Sequence, residues 1–143
     1  MALFLFWGED MSITYRSIDT RDYEDVRRLF VAVGWKERGE DAERFERMIR
    51  GSSRTIAAYQ NGRVVGFARA LFDDASNGYI STVVVAPDCQ GRGIGRGLVT
   101  RLMACRTPSH ITWMLRAAPT ARGFWTKMGF TPSERAMEIA RSE

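Results

Sequence analysis

The fold is decided by one stretch of sequence, Val83-Val84-Val85-Ala86-Pro87-Asp88-Cys89-Gln90-Gly91-Arg92-Gly93-Ile94-Gly95-Arg96-Gly97-Leu98. An apolar β-branched run ends at a proline, a glycine-rich loop follows, and apolar residues then recur at helical spacing. Glycines let backbone N–H groups approach a ligand closely, and a helix that begins there directs the positive end of its dipole at the same point. The stretch therefore predicts a strand, a phosphate-binding loop and a helix, with Arg92 and Arg96 adding positive charge.

Three kinds of phosphate ligand can be compared with this loop. A nucleoside-triphosphate loop needs Lys and then Ser or Thr after its last glycine, but Arg96-Gly97 follow here. A dinucleotide loop needs a third glycine where Arg96 stands and an acidic residue about 20 positions later, and no acid occurs up to Arg116. The acyl-coenzyme A pattern Q/R-x-x-G-x-G/A is satisfied at every position from Gln90 to Gly95.

On these residues the chain resembles the GNAT superfamily of acyl-CoA N-acyltransferases. V-x-V-x-P precedes the loop, G-x-G-I-G-x-x-L runs through it, and F-x-x-K-x-G-F follows at Phe124–Phe130. The resemblance extends over roughly Ile13 to Phe130. It implies an α/β (α+β) fold in which a mixed central sheet has antiparallel N-terminal strands, a splayed parallel pair around an acetyl-CoA cleft, and about four helices.

Length and composition predict one globular domain. The chain has 143 residues, of which 45% are hydrophobic and 27% charged. We expect a single domain over residues 11–143 and an N-terminal extension of unknown role over residues 1–10, which is a poor signal peptide. No apolar run reaches the length of a membrane span, so no membrane partner is expected.

The cysteine and histidine counts bear on metal binding and on the redox compartment. Cys89 and Cys105 are the two cysteines, and His110 is the single histidine. These residues form no CxxC pair or Cys/His cluster, so no metal site is predicted. Two isolated cysteines suit a reducing compartment, which predicts a cytoplasmic protein.

Charge is unevenly distributed along the chain. Residues 1–89 contain 12 basic and 14 acidic side chains, whereas residues 90–143 contain 9 basic and 3 acidic ones. The positive half is the half that contains the phosphate-binding loop, which fits a cofactor with a pyrophosphate and a 3′-phosphate. Nucleic-acid binding is the competing explanation, and we disfavour it because the arginines are dispersed and form no known nucleic-acid-binding module.

Hydrophobic periodicity and turn residues predict the elements. Asn61-Gly62 predicts a two-residue hairpin turn, Thr20 is a candidate helix cap, and residues 35–39 are expected to form a loop. Strands are predicted at residues 13–18, 55–60, 63–72, 79–85 and 111–116, with one or two more within 130–140. Helices are predicted at about 20–33, 41–50, 94–105 and 121–128.

The resemblance also implies how the coenzyme binds. The pantetheine arm would pair with the backbone of Val83–Val85, and the pyrophosphate would rest on the N–H groups from Gly91 to Arg96. The N–H of Val83 or Val84 would hold the oxyanion while an amine attacks the thioester directly. The residues expected to contact the coenzyme are Val83, Val84, Val85, Gln90, Gly91, Arg92, Gly93, Ile94, Gly95, Arg96, Phe124, Trp125 and Lys127.

Both positions at which the family often places an acid or base are changed in this sequence. Ser81-Thr82 stand where a carboxylate is usual, and Trp125 stands where a tyrosine is usual. Three alternatives remain open: Asp73 or the adjacent Asp74 acting through water, Tyr79 supplying the proton, or catalysis by positioning and the oxyanion donor alone. A solvated turn is the competing interpretation of the two aspartates.

The acceptor is the least determined part of the sequence. Val33-Gly34-Trp35 and Gly66–Asp73 resemble a GNAT branch that includes plant arylalkylamine-type acetyltransferases. Trp35 and Phe72 would then form an apolar wall around the amine, or they are core aromatics. Arg69 either binds a substrate carboxylate or faces solvent.

These observations predict a function and leave two alternatives. We expect an acetyl-CoA-dependent N-acetyltransferase acting on a primary amine of a small molecule. The alternatives are acetylation of a protein N-terminus or lysine, and a non-catalytic acyl-CoA-binding module. Dimers are common in the family, so a homodimer is an open expectation.

Overall fold

Five strands form one mixed sheet with the order β1-β2-β3-β4-β5 in the computed structural model, which describes residues 12–142. The strands are β1 (Ile13–Arg16), β2 (Arg54–Gln60), β3 (Arg63–Phe72), β4 (Asn77–Val85) and β5 (Thr112–Leu115). The helices are α1 (Tyr23–Ala32), α2 (Lys36–Glu40), α3 (Ala42–Arg50), α4 (Ile94–Leu102) and α5 (Arg122–Lys127). This is the expected GNAT-like mixed sheet.

The first four strands are antiparallel neighbours. The predicted turn at Asn61-Gly62 joins β2 and β3, with φ of 52° and 76° at its two residues. Positive φ at both central positions is what a type I′ hairpin requires, and Asn-Gly is the pair that tolerates it best. Local turn chemistry therefore fixes the register of the two pairs next to the turn, beyond which Val65 is an extra residue on β3 that shifts the register.

Helices cover both faces of the sheet. On one face, Phe67 of β3 packs against Phe30 of α1, with ring centroids 5.9 Å apart. On the other face, the Gly66 backbone lies so close to Leu98 and Ile94 of α4 that an added Cβ would meet them at 3.0 and 3.1 Å. Successive residues of a strand point to opposite faces, so α1–α3 and α4 bury opposite sides of β3.

The sheet opens between β4 and β5. These strands are parallel and pair only from Asn77–Thr112 to Ile80–Leu115. Arg69 of β3 pairs with Thr82 while Ala70 pairs with Ile80, so Ser81 is an extra residue on β4. Such a bulge bends its strand and increases its twist, and pairing with β5 ends at this point. The splayed parallel pair is therefore confirmed.

Several element boundaries differ from the sequence prediction. Residues 36–40 are the helix α2 rather than a loop, which brings the described α-helices to five. Asp19 rather than Thr20 caps the first helical segment, because its carboxylate accepts from Arg21 N at 2.9 Å while Thr20 already lies in a 3-10 turn. The first strand ends at Arg16 instead of residue 18, and α4 ends at Leu102 instead of residue 105.

The final strands predicted within residues 130–140 were wrong. The described residues of this segment form neither strand nor helix. Met137 and Ile139 are fully exposed, at 96% and 103% of their reference areas. Two isolated apolar side chains bury too little surface to hold a further strand against the sheet. The predicted extension over residues 1–10 lies outside the described residues.

None of the helices described in residues 12–142 combines the length and the apolar content that a membrane crossing requires.

Candidate functional site

A cavity of about 620 Å³ lies where β4 and β5 separate. Its floor is formed by Tyr79–Val83 of β4 and its far wall by Leu115 and the residues that follow β5. Helix α3 and the residue before α2 close it on the α1–α3 side, through Phe45 and Trp35. Trp125 of α5 also lines it, so the cavity lies on the face of the sheet opposite α4.

The C-terminal half of β4 has a free edge toward this gap. Ala86 N donates to Val65 O at 2.8 Å, which marks a hydrogen-bonded antiparallel pair with β3. Alternation along the strand then turns the backbone groups of Val84 toward β3 and those of Val83 and Val85 toward the gap. Of the two oxyanion donors left open by the sequence, Val83 therefore has its N–H on the accessible side.

The predicted glycine loop has the backbone shape that close approach of a ligand requires. Gly91 and Gly93 have φ of 78° and 80°, values that side-chain-bearing residues rarely adopt. Gly93 is the N-cap of α4, and since glycine has no side chain, the first N–H groups of this nine-residue helix receive no cap from it. At Gly91, no atom lies within 4 Å of where a Cβ would be, so there is open space next to its backbone. These donors fit a diphosphate.

The side chains around the loop play separate roles. Gln90 Nε2 donates to Val85 O at 3.3 Å and so ties the loop to β4. Arg92 Nη1 donates to Gln60 Oε1 at 3.1 Å, which directs this guanidinium toward the end of β2. Arg96 is exposed on the first turn of α4.

Helix α5 packs against the start of α4. An added Cβ at Gly95 would meet the Phe124 ring at 3.3 Å, so the glycine permits this contact. The Phe124 ring meets Trp125 edge to face, with centroids 4.9 Å apart. Lys127, which the sequence also suggested as a coenzyme contact, lies exposed in the last turn of α5.

Asp73 does not lie in the cavity. Its carboxylate accepts from the backbone N–H groups of Ala75, Ser76 and Asn77 at 2.8 to 3.1 Å, and from the Ser76 hydroxyl at 2.8 Å. These hydrogen bonds hold its pKa far below the ordinary range, which makes it a poor proton acceptor. Asp74 pairs with Arg106 at 3.3 Å. Both aspartates are turn residues in this structure.

Of the other candidate side chains, two line the cavity and one does not. Tyr79 and Trp35 line the cavity. Phe72 does not, because its ring stacks on Trp113 of β5 with centroids 5.0 Å apart and lies beneath the Arg54 guanidinium. The expected apolar wall is thus formed by Trp35 without Phe72, and by Phe45 and Trp125, which sequence reasoning did not assign to it.

Arginines are the main feature of the cavity that the sequence did not reveal. Arg69 points inward from β3 and donates to Thr82 Oγ1, Ser52 Oγ and Ser81 Oγ at 3.3, 3.2 and 2.9 Å. Burial lowers the pKa of its guanidinium, and the nearby positive charges lower it further. Four more arginines line the cavity, namely Arg38, Arg44, Arg116 and Arg141. They come from separate segments, so no local spacing in the sequence could have shown that they converge.

Within residues 12–142, no group of three or more His, Cys, Asp and Glu side chains is placed to hold a metal ion.

Comparison with known proteins gives the chain a family context. A family model described as an acetyltransferase (GNAT) domain matches residues 34–140. The chain is 36% identical over 120 residues to "Serotonin N-acetyltransferase 2, chloroplastic" of Oryza sativa subsp. japonica, covering 80% of this chain and 59% of that protein. It is 33% identical over 111 residues to "Uncharacterized N-acetyltransferase ycf52" of Pyropia yezoensis, covering 74% and 63%. The chain thus spans about three fifths of the length of these relatives.

Solved structures of low sequence identity share the fold. A GNAT family acetyltransferase from Streptococcus pneumoniae TIGR4 superposes with a TM-score of 0.66 at 24% identity, covering 91% of this chain and 98% of that one. The aminoglycoside N-acetyltransferase AAC(6')-Iy, solved in complex with CoA, gives 0.70 at 16% identity, with coverage of 90% and 94%.

Proposed function

The chain belongs to the GNAT acetyltransferase family, and on that premise we propose that it transfers an acetyl group from acetyl-CoA to a primary amine of a small molecule. One observation carries the proposal: the β4 edge at Val83 and Val85, which is not paired with β5, leads from the cavity toward the glycine loop at the start of α4. A donor with amides along its length and a diphosphate at one end matches this arrangement.

The two ends of the coenzyme would meet different parts of this arrangement. Pantetheine amides would pair with the outward backbone groups of Val83 and Val85, in the manner of an added strand. The diphosphate would accept from the N–H groups between Gly91 and Arg96, where the dipole of α4 favours negative charge. Trp125 would pack beside the acyl end, since it lines the cavity.

The reaction would proceed by direct attack. The neutral amine nitrogen forms a bond to the thioester carbonyl carbon, and the resulting oxyanion accepts from Val83 N–H. Collapse of the tetrahedral intermediate breaks the C–S bond and releases the coenzyme as a thiolate, a tolerable leaving group because a thiol pKa is about 8.5. The proton lost by the amine passes to solvent, with Tyr79 as the remaining side-chain candidate for relaying it.

A small acceptor fits better than a protein chain. The cavity of about 620 Å³ falls within the range of about 300–1,000 Å³ that is usual for small-molecule sites. The rice relative is named for the acetylation of a small molecule, which supports a small-molecule acceptor for this chain.

A non-catalytic acyl-CoA-binding module is the second candidate. Among the described residues, none of the side chains that line the cavity is an Asp or Glu, so the carboxylate base frequent in the family is missing. Loss of general acid–base catalysis typically costs about 10²–10⁴-fold in rate, which slows an acetyltransferase without abolishing it. We therefore favour the enzyme over the binding module.

Two measurements on the purified chain separate these candidates. Calorimetry with acetyl-CoA tests binding, and a thiol-release assay with a panel of aliphatic amines, aromatic amines and amino acids tests transfer. Binding together with amine-dependent thiol release supports the proposal. Binding without release from any amine identifies the non-catalytic module, and the absence of binding contradicts both. Cytoplasmic location and homodimerisation stay predictions, and the rice relative carries the word chloroplastic in its name.

A further inference from the structure

The charge of the cavity restricts what can enter it. Five arginine side chains line it, and no described acidic side chain does. Arg116 is paired with Glu138 at 2.7 Å, whereas Arg69 has no carboxylate partner among the described residues. An amine that carries only its own positive charge would be repelled from such a space. A molecule that also carries negative charge would be attracted.

Arg69 is the arginine best placed to bind that negative charge. Its three protein hydrogen bonds go to neutral hydroxyls, one from each of its nitrogens. A guanidinium has five N–H donors, so one N–H on each terminal nitrogen has no partner among the described residues. Thr82 and Ser81, which hold the guanidinium, lie on β4 immediately before Val83.

A half-buried guanidinium without a carboxylate partner is costly to the protein. Its solvation is partly lost, and the hydroxyls that replace water supply no countercharge. Each terminal nitrogen thus keeps one N–H donor for an oxygen of a bound carboxylate. Ser52, Ser81 and Thr82 therefore hold the side chain in position for a ligand.

We propose that the acceptor is an amine that carries a carboxylate, of the amino-acid type, and that Arg69 binds this carboxylate. The proposal rests on the acetyltransferase function proposed above and deepens it. The carboxylate would be held at the hydroxyl-lined section of β4, with the amine directed along the strand toward Val83. The apolar part of the acceptor would contact Trp35 and Phe45.

The same charge would assist the reaction. Like charges disfavour the protonated form of an amine, so a cationic side chain of the lining such as Arg44 would lower the pKa of an ammonium bound beside it. A larger neutral fraction of the amine then exists near neutral pH without a carboxylate base. The positive lining thus provides binding for the anion and partial activation of the nucleophile.

The test compares acceptors that differ only in the carboxylate. Tyrosine with tyramine, and tryptophan with tryptamine, are matched pairs, while the amino-acid amides retain size without charge. We expect kcat/KM at saturating acetyl-CoA to favour the amino acids over amines and amides by about 10–100-fold, the range for hydrogen bonds to a charged group. Phosphoethanolamine is included as a phosphate-bearing amine.

Variants identify the residue responsible. Arg69→Gln should reduce the preference for the amino acids to within about threefold and leave acetyl-CoA affinity unchanged. The control Arg44→Gln removes a lining charge carried by α3 and should keep most of the preference for the amino acids. Arg69→Lys retains the charge but loses the fork, so we expect an intermediate preference. Circular dichroism and acetyl-CoA binding confirm that each variant is folded.

Three results would overturn the proposal: equal kcat/KM for amino acids and their decarboxylated amines, an unchanged preference in folded Arg69→Gln, or a preference for phosphoethanolamine. The outcome remains readable even if no transfer occurs. Calorimetry in the presence of CoA then compares N-acetyltyrosine with N-acetyltyramine. If N-acetyltyrosine binds more tightly than N-acetyltyramine and Arg69→Gln removes this difference, the anion site is supported although the enzymatic function has failed. Equal binding of the two ligands overturns the proposed anion site.

Discussion

Replacing Gly93 by Asp and by Asn separates the effect of charge from the effect of shape at the proposed coenzyme site. Gly93 has φ of 80° and is the N-cap of α4. Asn and Asp are the side-chain-bearing residues that best tolerate this left-handed conformation, and they have nearly the same size. The two variants therefore experience similar backbone strain, and only the added charge distinguishes them.

The charge should act in opposite directions on stability and on binding. A negative charge at a helix N-terminus typically stabilises the fold by about 0.3–1 kcal/mol, so Gly93→Asp should be no less stable than Gly93→Asn. A carboxylate roughly 6 Å from one phosphate charge, at an effective dielectric constant of about 20, is repelled by about 3 kcal/mol. We expect Gly93→Asp to bind acetyl-CoA about 100-fold more weakly than Gly93→Asn.

The assay is calorimetric titration of both variants with acetyl-CoA and with S-acetylpantetheine, which lacks the phosphates, together with thermal melts. The difference between the variants should appear with acetyl-CoA only and should shrink as salt is raised. Equal acetyl-CoA affinity in folded Asp and Asn variants would refute the placement of the diphosphate. An equal loss for the phosphate-free thioester would refute the electrostatic explanation.

Two further predictions concern the fold and the proton path. Asp22→Asn should lower the free energy of unfolding at pH 7 by about 1–3 kcal/mol, because the buried Asp22 carboxylate accepts from both terminal nitrogens of Arg16 at 2.9 Å. The Arg16 hydrogen bond lowers the pKa of Asp22, so this stabilisation is present above about pH 4 and disappears as the pH falls through the lowered pKa. Denaturant unfolding of the original protein and of Asp22→Asn at pH 7 and pH 3 measures this stabilisation. An equal stability difference between the two proteins at both pH values would contradict the linkage. The exposed Arg28–Glu24 pair provides a control, because Glu24→Gln is expected to cost less than about 1 kcal/mol. Tyr79→Phe should lower kcat by about 10²-fold at unchanged acetyl-CoA affinity if the hydroxyl relays the amine proton; unchanged kcat in steady-state assays would assign that transfer to solvent.

Features that depend on a few adjacent residues were readable from the sequence. The hairpin turn could be predicted because Asn61-Gly62 is a pair that adopts positive φ at both residues. The loop could be predicted because the glycines at 91 and 93 adopt a positive φ that residues with a Cβ rarely adopt. The strand before the loop was also predicted, because Val83–Val85 form an unbroken apolar β-branched run. In each case the determining interactions lie within the segment itself.

Features that depend on distant partners were not readable. Phe72 has the same apolar character whether it faces a substrate or Trp113, and only the β4–β5 pairing decides between them. The segment over residues 130–140 contains the apolar residues Phe130, Met137 and Ile139, but a strand also needs a neighbour to pair with. Asp73 resembled a candidate base until the N–H groups of its own turn were seen to occupy its carboxylate.

The arginines that line the cavity could not be predicted for the same reason, since they come from segments that are distant in the sequence. Among the features that the sequence did not show, they bear most directly on the proposed reaction. A site that transfers acetyl to an amine must bind a group that is mainly cationic in water and must then neutralise it. A carboxylate on the enzyme would do both, yet among the described residues the cavity lining offers none, and Asp73 is occupied elsewhere. The attraction must then come from another part of the acceptor, and a negative group is the part that Arg69 can bind. In the proposed reaction, positive charge of the lining would oppose protonation of the amine next to that group, so the arginines and the lack of a carboxylate in the described lining would be two aspects of one mechanism.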